Sequence, residues 1–158
     1  MVRLKSRYIL FDIIYPPNPN KELSNYSLKN SLTTLHAVSN SNPKEILNLL
    51  RKNIELNYGD YGAGLINYSL MVKYFSNKTS TGIIRCSREN HELVTGALLM
   101  INQINDRNCI FRVIHISGTI KKCEDYAIER NKKLMKLLES KEFDEVINID
   151  EDDDEDYD

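Results

Sequence analysis

A short polar turn, Asn77-Lys78-Thr79-Ser80, joins two runs of β-prone residues. Before it, Gly62 to Phe75 places Ile66, Tyr68, Leu70, Val72 and Tyr74 at every second position. After it, Thr81 to Ser87 is short and isoleucine-rich. Period two is the spacing of side chains along one face of a strand, so the segment predicts a β-hairpin. A two-stranded hairpin is barely stable alone in water. The rest of the chain must therefore supply strands to extend it and helices to cover it.

The flanking segments do so. Tyr8 to Tyr15 reads as a strand stopped by Pro16-Pro17, with Ile9, Phe11 and Ile13 on a core face and Asp12 on the other. Asn42-Pro43-Lys44-Glu45 is a helix start: Asn42 caps, Pro43 suits the first helical position, and Glu45 closes a capping box. Ile46, Leu49, Leu50 and Ile54 form its stripe, and Gly59 ends it near Tyr58. A second helix is predicted from Arg88 to about Asn105, capped by Ser87, then a strand over Asn108 to Ser117. A last helix follows over Ile120 to Ser140.

The order is β-α-β-β-α-β-α. It predicts an α/β (α+β) chain with a ferredoxin-like antiparallel sheet, the arrangement that RNA-recognition domains share, helices covering one face. Leu65, Met71 and Ile83 are then expected on the second face, either as a protein interface or beneath the last helix. A polar insertion over 16–42, with a weak helix over 21–38, interrupts the domain.

Charge divides the chain further. From Ser140 to Asp158 eleven acids face one lysine, a net of −10, which leaves +8 on 1–139 behind an overall −2. We expect one RRM-like domain over 1–140 and a disordered acidic tail over 141–158, which repels itself and has little to bury. The basic body suggests a nucleic-acid partner. No segment is apolar enough to span a bilayer, so no membrane partner is expected. The basic start resembles a signal peptide, but Asp12 interrupts the apolar stretch and no cleavage site follows. Cys86, Cys109 and Cys123 form no CxxC and read as reduced, buried thiols. No metal-ligand spacing, phosphate-binding loop or nucleophile elbow occurs, so no catalytic residue, metal or cofactor is assigned.

The bases form three groups. Arg3, Lys5 and Arg7 alternate into the first strand, as phosphate contacts or as a solvated strand end. The hairpin carries Lys73, Lys78, Thr79 and Arg85, followed by Arg88. Its hydroxyls suit phosphate and ribose, and Gly82 admits a close backbone approach. Ser117-Gly118-Thr119-Ile120-Lys121-Lys122 puts Lys121 and Lys122 at a helix N-terminus, where an anion is favoured. The third strand has no aromatic residue, so backbone and shape recognition of folded RNA fits better than base stacking.

MVRLKSRYILF at the start, GDYG at 59–62, KYFSNKTSTGIIRC at 73–86 and SGTIKK at 117–122 resemble one family. It is the small protein subunit shared by eukaryotic ribonuclease P and ribonuclease MRP, with archaeal relatives. The resemblance implies an RRM-like domain that binds the catalytic RNA core and pairs with a barrel-fold subunit of the particle. In that family the RNA, with Mg²⁺, cuts the 5′ leader from precursor tRNA, and the MRP particle processes precursor ribosomal RNA. The protein is then not the catalyst, and its place is nuclear and nucleolar. A ferredoxin-like regulatory or protein-interaction module without RNA is the alternative, which leaves the +8 body unexplained.

Overall fold

The computed structural model describes residues 4–16 and 39–151. Arg3, the weak helix expected over 21–38 and the end of the acidic tail lie outside the described residues.

The strands are β1 (Ser6–Ile14), β2 (Met71–Ser76), β3 (Thr81–Ser87) and β6 (Ile110–Ser117), in the antiparallel order β2-β3-β1-β6. A small hairpin of β4 (Gln103–Ile104) and β5 (Arg107–Asn108) stands apart. The helices are α1 (Pro43–Ile66), α2 (His91–Leu99) and α3 (Ile120–Glu151). This is the split βαβ topology expected: the first and third principal strands are central, and α1 and α2 contribute to the core over one face.

That core follows the predicted alternation. Ile9, Phe11 and Ile13 meet Ile46, Leu50 and Ile54 of α1 and Val94, Ala97 and Leu98 of α2. Phe11 stacks between Phe75 and Phe111, with ring centroids 6.3 and 5.7 Å away. Gly82 lies beneath this stack, where a Cβ would meet Phe11 Cζ at 2.6 Å. The close approach that its missing side chain permits is therefore taken by core aromatics.

The capping box at Asn42 forms: the Lys44 N–H donates to Asn42 Oδ1 at 3.1 Å, and the Asn42 N–H to Glu45 Oε2 at 3.0 Å. Gly59 breaks the helix as expected, at φ 65°. Helical structure then resumes to Ile66, so the strand begins at Met71 and not at Gly62. Gly62 and Ile66 continue the spacing of four set by the buried Ile46, Leu50 and Ile54, so helical burial of this stretch wins over its period-two pattern. Leu65 is accordingly on α1 and not on the sheet.

The second helix is also shorter than expected. It is flanked by Asn90 and not by Ser87, and it stops at Leu99. Asn105 and Asp106, at φ 47° and 62°, instead turn β4 into β5, because these residue types tolerate the left-handed region. At the other extreme α3 continues past Ser140 to Glu151. Lys and Glu are good helix formers, and adding residues to a formed helix is far easier than starting one. The chain divides into two units within α3, one ending at Glu124 and the other beginning at Asp125.

Asp12 lies off the core face as expected, yet it is buried. Arg112 closes a bidentate pair with it, Nε to Oδ1 at 3.0 Å and Nη2 to Oδ2 at 2.6 Å. Register places the two opposite each other on β1 and β6.

The three cysteines are buried and free of disulfides. Burial pushes the Cys86 and Cys109 thiols up to about 11, against a smaller opposing pull from Arg7 and Arg107 respectively. Burial also raises Cys123, opposed by the Ser117 backbone and reinforced by Glu124. An unfolded chain releases thiol protons near pH 8.5 to 9 while the folded chain holds them. The resulting stability is present below that range and is lost as pH rises toward about 11. Denaturant midpoints measured from pH 8 to 11 should fall, and fall less in a Cys86→Ala, Cys109→Ala variant.

Candidate nucleic-acid interface

Antiparallel pairing decides where the bases go. Ser6 on β1 is opposite Ser87 on β3, and Tyr8 is opposite Ser117 on β6. The start of β1 and the ends of β3 and β6 therefore lie at one end of the sheet. Lys5, Arg7, Arg85, Arg88, Lys121 and Lys122 all come from these segments.

Specific contacts hold the segments together. The Arg88 N–H donates to the Lys5 carbonyl at 2.9 Å. Arg85 Nε donates to Ser6 Oγ at 3.1 Å, and Arg7 Nη1 donates to the Ser6 carbonyl at 3.2 Å. Arg7 Nη1 also lies 3.5 Å from where a Cβ on Gly118 would stand. Arg7 and Arg85 are half-buried, whereas Lys5, Arg88, Lys121 and Lys122 are exposed. Thr119 Oγ1 accepts from the Lys122 N–H at 3.4 Å, and Ser117 Oγ accepts from the Thr119 N–H at 3.3 Å. The buried Ser87 hydroxyl has no hydrogen-bond partner among the described residues.

Such an end can hold phosphates. Half-buried guanidiniums present fixed donors, the exposed bases add charge, and α3 begins there with its positive dipole end. Glu89 and Glu124 are the acids adjoining these segments in the chain.

The hairpin does not stay with this group as a whole. Its turn, with Lys78 and Thr79 exposed, lies at the opposite end of β3, beside Ile13, whose N–H donates to the Ser80 carbonyl at 2.8 Å. The length of β3 separates the two ends by about 20 Å. Lys73 is exposed at a bulge between Val72 and Tyr74. Of the expected protein-interface positions, Met71 is 45% exposed on β2 and Leu65 39% exposed on α1, but Ile83 is only 2% exposed and is not an open surface.

Among the described residues no three His, Cys, Asp or Glu side chains come together as a metal site, and no helix is long and apolar enough to cross a membrane. Sequence reading missed the Asp12–Arg112 pair, and it missed Arg107 resting 3.9 Å over the Tyr15 ring. Each lies off the core face of its own strand, but only the pairing of β1 with β6 brings the first together, and nothing local signals the second.

The Rpp14/Pop5 family model matches residues 7–128. The chain is 46% identical over 141 residues to the ribonuclease P/MRP protein subunit POP5 of Saccharomyces cerevisiae, covering 87% of this chain and 82% of that one. It is 43% identical to the Schizosaccharomyces pombe POP5 over 84% and 89% of the two chains. It is 30% identical to the ribonuclease P protein component 2 of Pyrococcus horikoshii over 77% and 81%. With most of its length matched by the family model and by these relatives, the chain belongs to the Rpp14/Pop5 family.

Proposed function

We propose that this chain is a non-catalytic protein subunit of the ribonuclease P and ribonuclease MRP ribonucleoproteins. It binds and stabilises the catalytic RNA core for 5′ processing of precursor tRNA and for processing of precursor ribosomal RNA. Mg²⁺ belongs to the RNA. The observation that carries the reading is the convergence of Lys5, Arg7, Arg85, Arg88, Lys121 and Lys122 at one end of the sheet, in a chain whose relatives are ribonuclease P/MRP subunits. Exposed Met71 and Leu65 are left for the barrel-fold subunit and other particle proteins. Its expected location is the nucleus and nucleolus.

Copurification tests this. The tagged full chain should bring down one abundant structured RNA and cleave precursor tRNA as the assembled particle. Ribonuclease treatment should abolish both, and the recombinant chain with Mg²⁺ should cut nothing alone. A pull-down without RNA, indifferent to nuclease, would sink the proposal. Within the hairpin, the Lys78→Ala, Arg85→Ala pair should lower RNA affinity and its salt slope. Arg85 should carry most of the loss in the single variants, because Lys78 stands at the far end of β3.

A further inference from the structure

A second surface differs in chemistry from the basic end. Between Asp60 and Glu89 there is no acidic residue, while Lys73, Lys78, Arg85 and Arg88 all fall in that stretch. Register places Met71 beside Arg85, and Arg85 beside Tyr8, in one row across β2, β3 and β1. The next row sets Tyr74 beside Ile83, and Ile83 beside Leu10. Val72, Phe75 and Ile84 join the core, so these two rows occupy the face opposite it. Tyr74 is 53% exposed beside the buried Ile83, with exposed Lys73 at the adjoining bulge.

We propose that the exposed edge of this face, at Tyr74, is a stacking surface for unpaired RNA bases. Tyr74 offers an exposed aromatic ring at the β2 edge, beside the buried Ile83 and Leu10 of the same row. Lys73 and the half-buried Arg85 supply cations for the phosphates on either side of a stacked nucleotide. Arg85 also belongs to the basic end, so one RNA strand can pass from there onto Tyr74. An aromatic platform beside a positive track is how single strands are held without sequence preference.

Two other occupants fit less well. A partner strand adding to the β2 edge would meet the bulge and Lys73, which are devices that block such pairing. A second copy would bring the same acid-free, basic hairpin against this one. The absence of a third-strand aromatic, which argues against stacking in sequence, is met by Tyr74 on the neighbouring strand.

This inference rests on the RNA-binding reading above, and the test separates the two. The full chain is titrated with a short oligoadenylate carrying one fluorescent adenine analogue, and with a blunt RNA duplex. Tyr74→Leu should weaken oligoadenylate binding by about 5- to 150-fold, from a stacking contribution of 1–3 kcal/mol. It should abolish quenching of the analogue and leave the salt slope and the duplex affinity unchanged, and Tyr74→Phe should bind as wild type. Unchanged oligoadenylate binding in Tyr74→Leu, or equal loss on both RNAs, overturns the stacking surface alone. So does release of a particle protein with RNA binding intact. A wild-type chain that binds neither RNA overturns the RNA reading itself.

Discussion

Replacing Arg88, Lys121 and Lys122 together by alanine is expected to weaken RNA binding by roughly a hundredfold, at about 1 kcal/mol per lost phosphate contact. All three are exposed, and they stand on segments brought together by the pairing of β1 with β3 and β6. Each phosphate neutralised by a protein cation releases counterions, so log affinity falls with log salt by about 0.7 to 0.9 per contact. The variant should therefore bind with a slope shallower by about two to three. Its folding should be nearly unaffected, because exposed substitutions away from special features cost within about 0.5 kcal/mol. Filter binding at several salt concentrations gives both quantities. An unchanged slope would remove this end of the sheet from the RNA site, whatever happened to the affinity at one salt.

Gly82→Ala is expected to lower the melting temperature by about 10 °C, from roughly 2–3 kcal/mol of overpacking. The new methyl would stand 2.6 and 2.8 Å from Phe11 ring atoms and 2.9 Å from Phe75 Cδ2. Phe11 cannot swing aside, since it is fully buried and stacked on both sides by Phe75 and Phe111. Combining Gly82→Ala with Phe75→Leu should recover part of the loss, because the smaller side chain vacates one side of the stack. A melting temperature equal to wild type for Gly82→Ala would show that the stack is not packed as described. The position sits in the middle of the hairpin, so its sensitivity is a property of the core and not of RNA contact.

Much of the fold is legible locally. The capping box at Asn42, the break at Gly59 and the core alternation of Ile9, Phe11 and Ile13 each depend on residues a few positions apart. The errors are local too, and they fall where two periods fit one stretch. Ile66, Leu70 and Val72 suit a strand by alternation. Gly62 and Ile66 extend the helical spacing of four set by Ile46, Leu50 and Ile54, and burial against the core selects the second. The end of the second helix failed similarly. Ile101 and Ile104 continue its apolar stripe, while the left-handed turn at Asn105 and Asp106 redirects the chain into β5.

The candidate site is legible only in pieces. Three basic groups are visible in the chain, but their grouping depends on pairings between residues about eighty and more than a hundred positions apart. Gly82 is a plain case of an ambiguity that composition leaves open. A glycine in a strand admits some close neighbour, and the tertiary structure decides that the neighbour is Phe11 and not a nucleic acid.

The order of the principal elements, the capping box at Asn42, the +8 and −10 division of charge and the family resemblance are determined by the sequence alone, because each is a pattern among neighbours or a count. Which bases stand together was decided only by the tertiary structure. Antiparallel register brings Lys5, Arg7, Arg85, Arg88, Lys121 and Lys122 to one end and sends Lys78 and Thr79 to the other. The reason is geometric: the start of β1 meets the ends of β3 and β6, and the hairpin turn meets the end of β1. A residue's neighbours across a sheet are set by the register of its strand, which no local stretch of sequence contains.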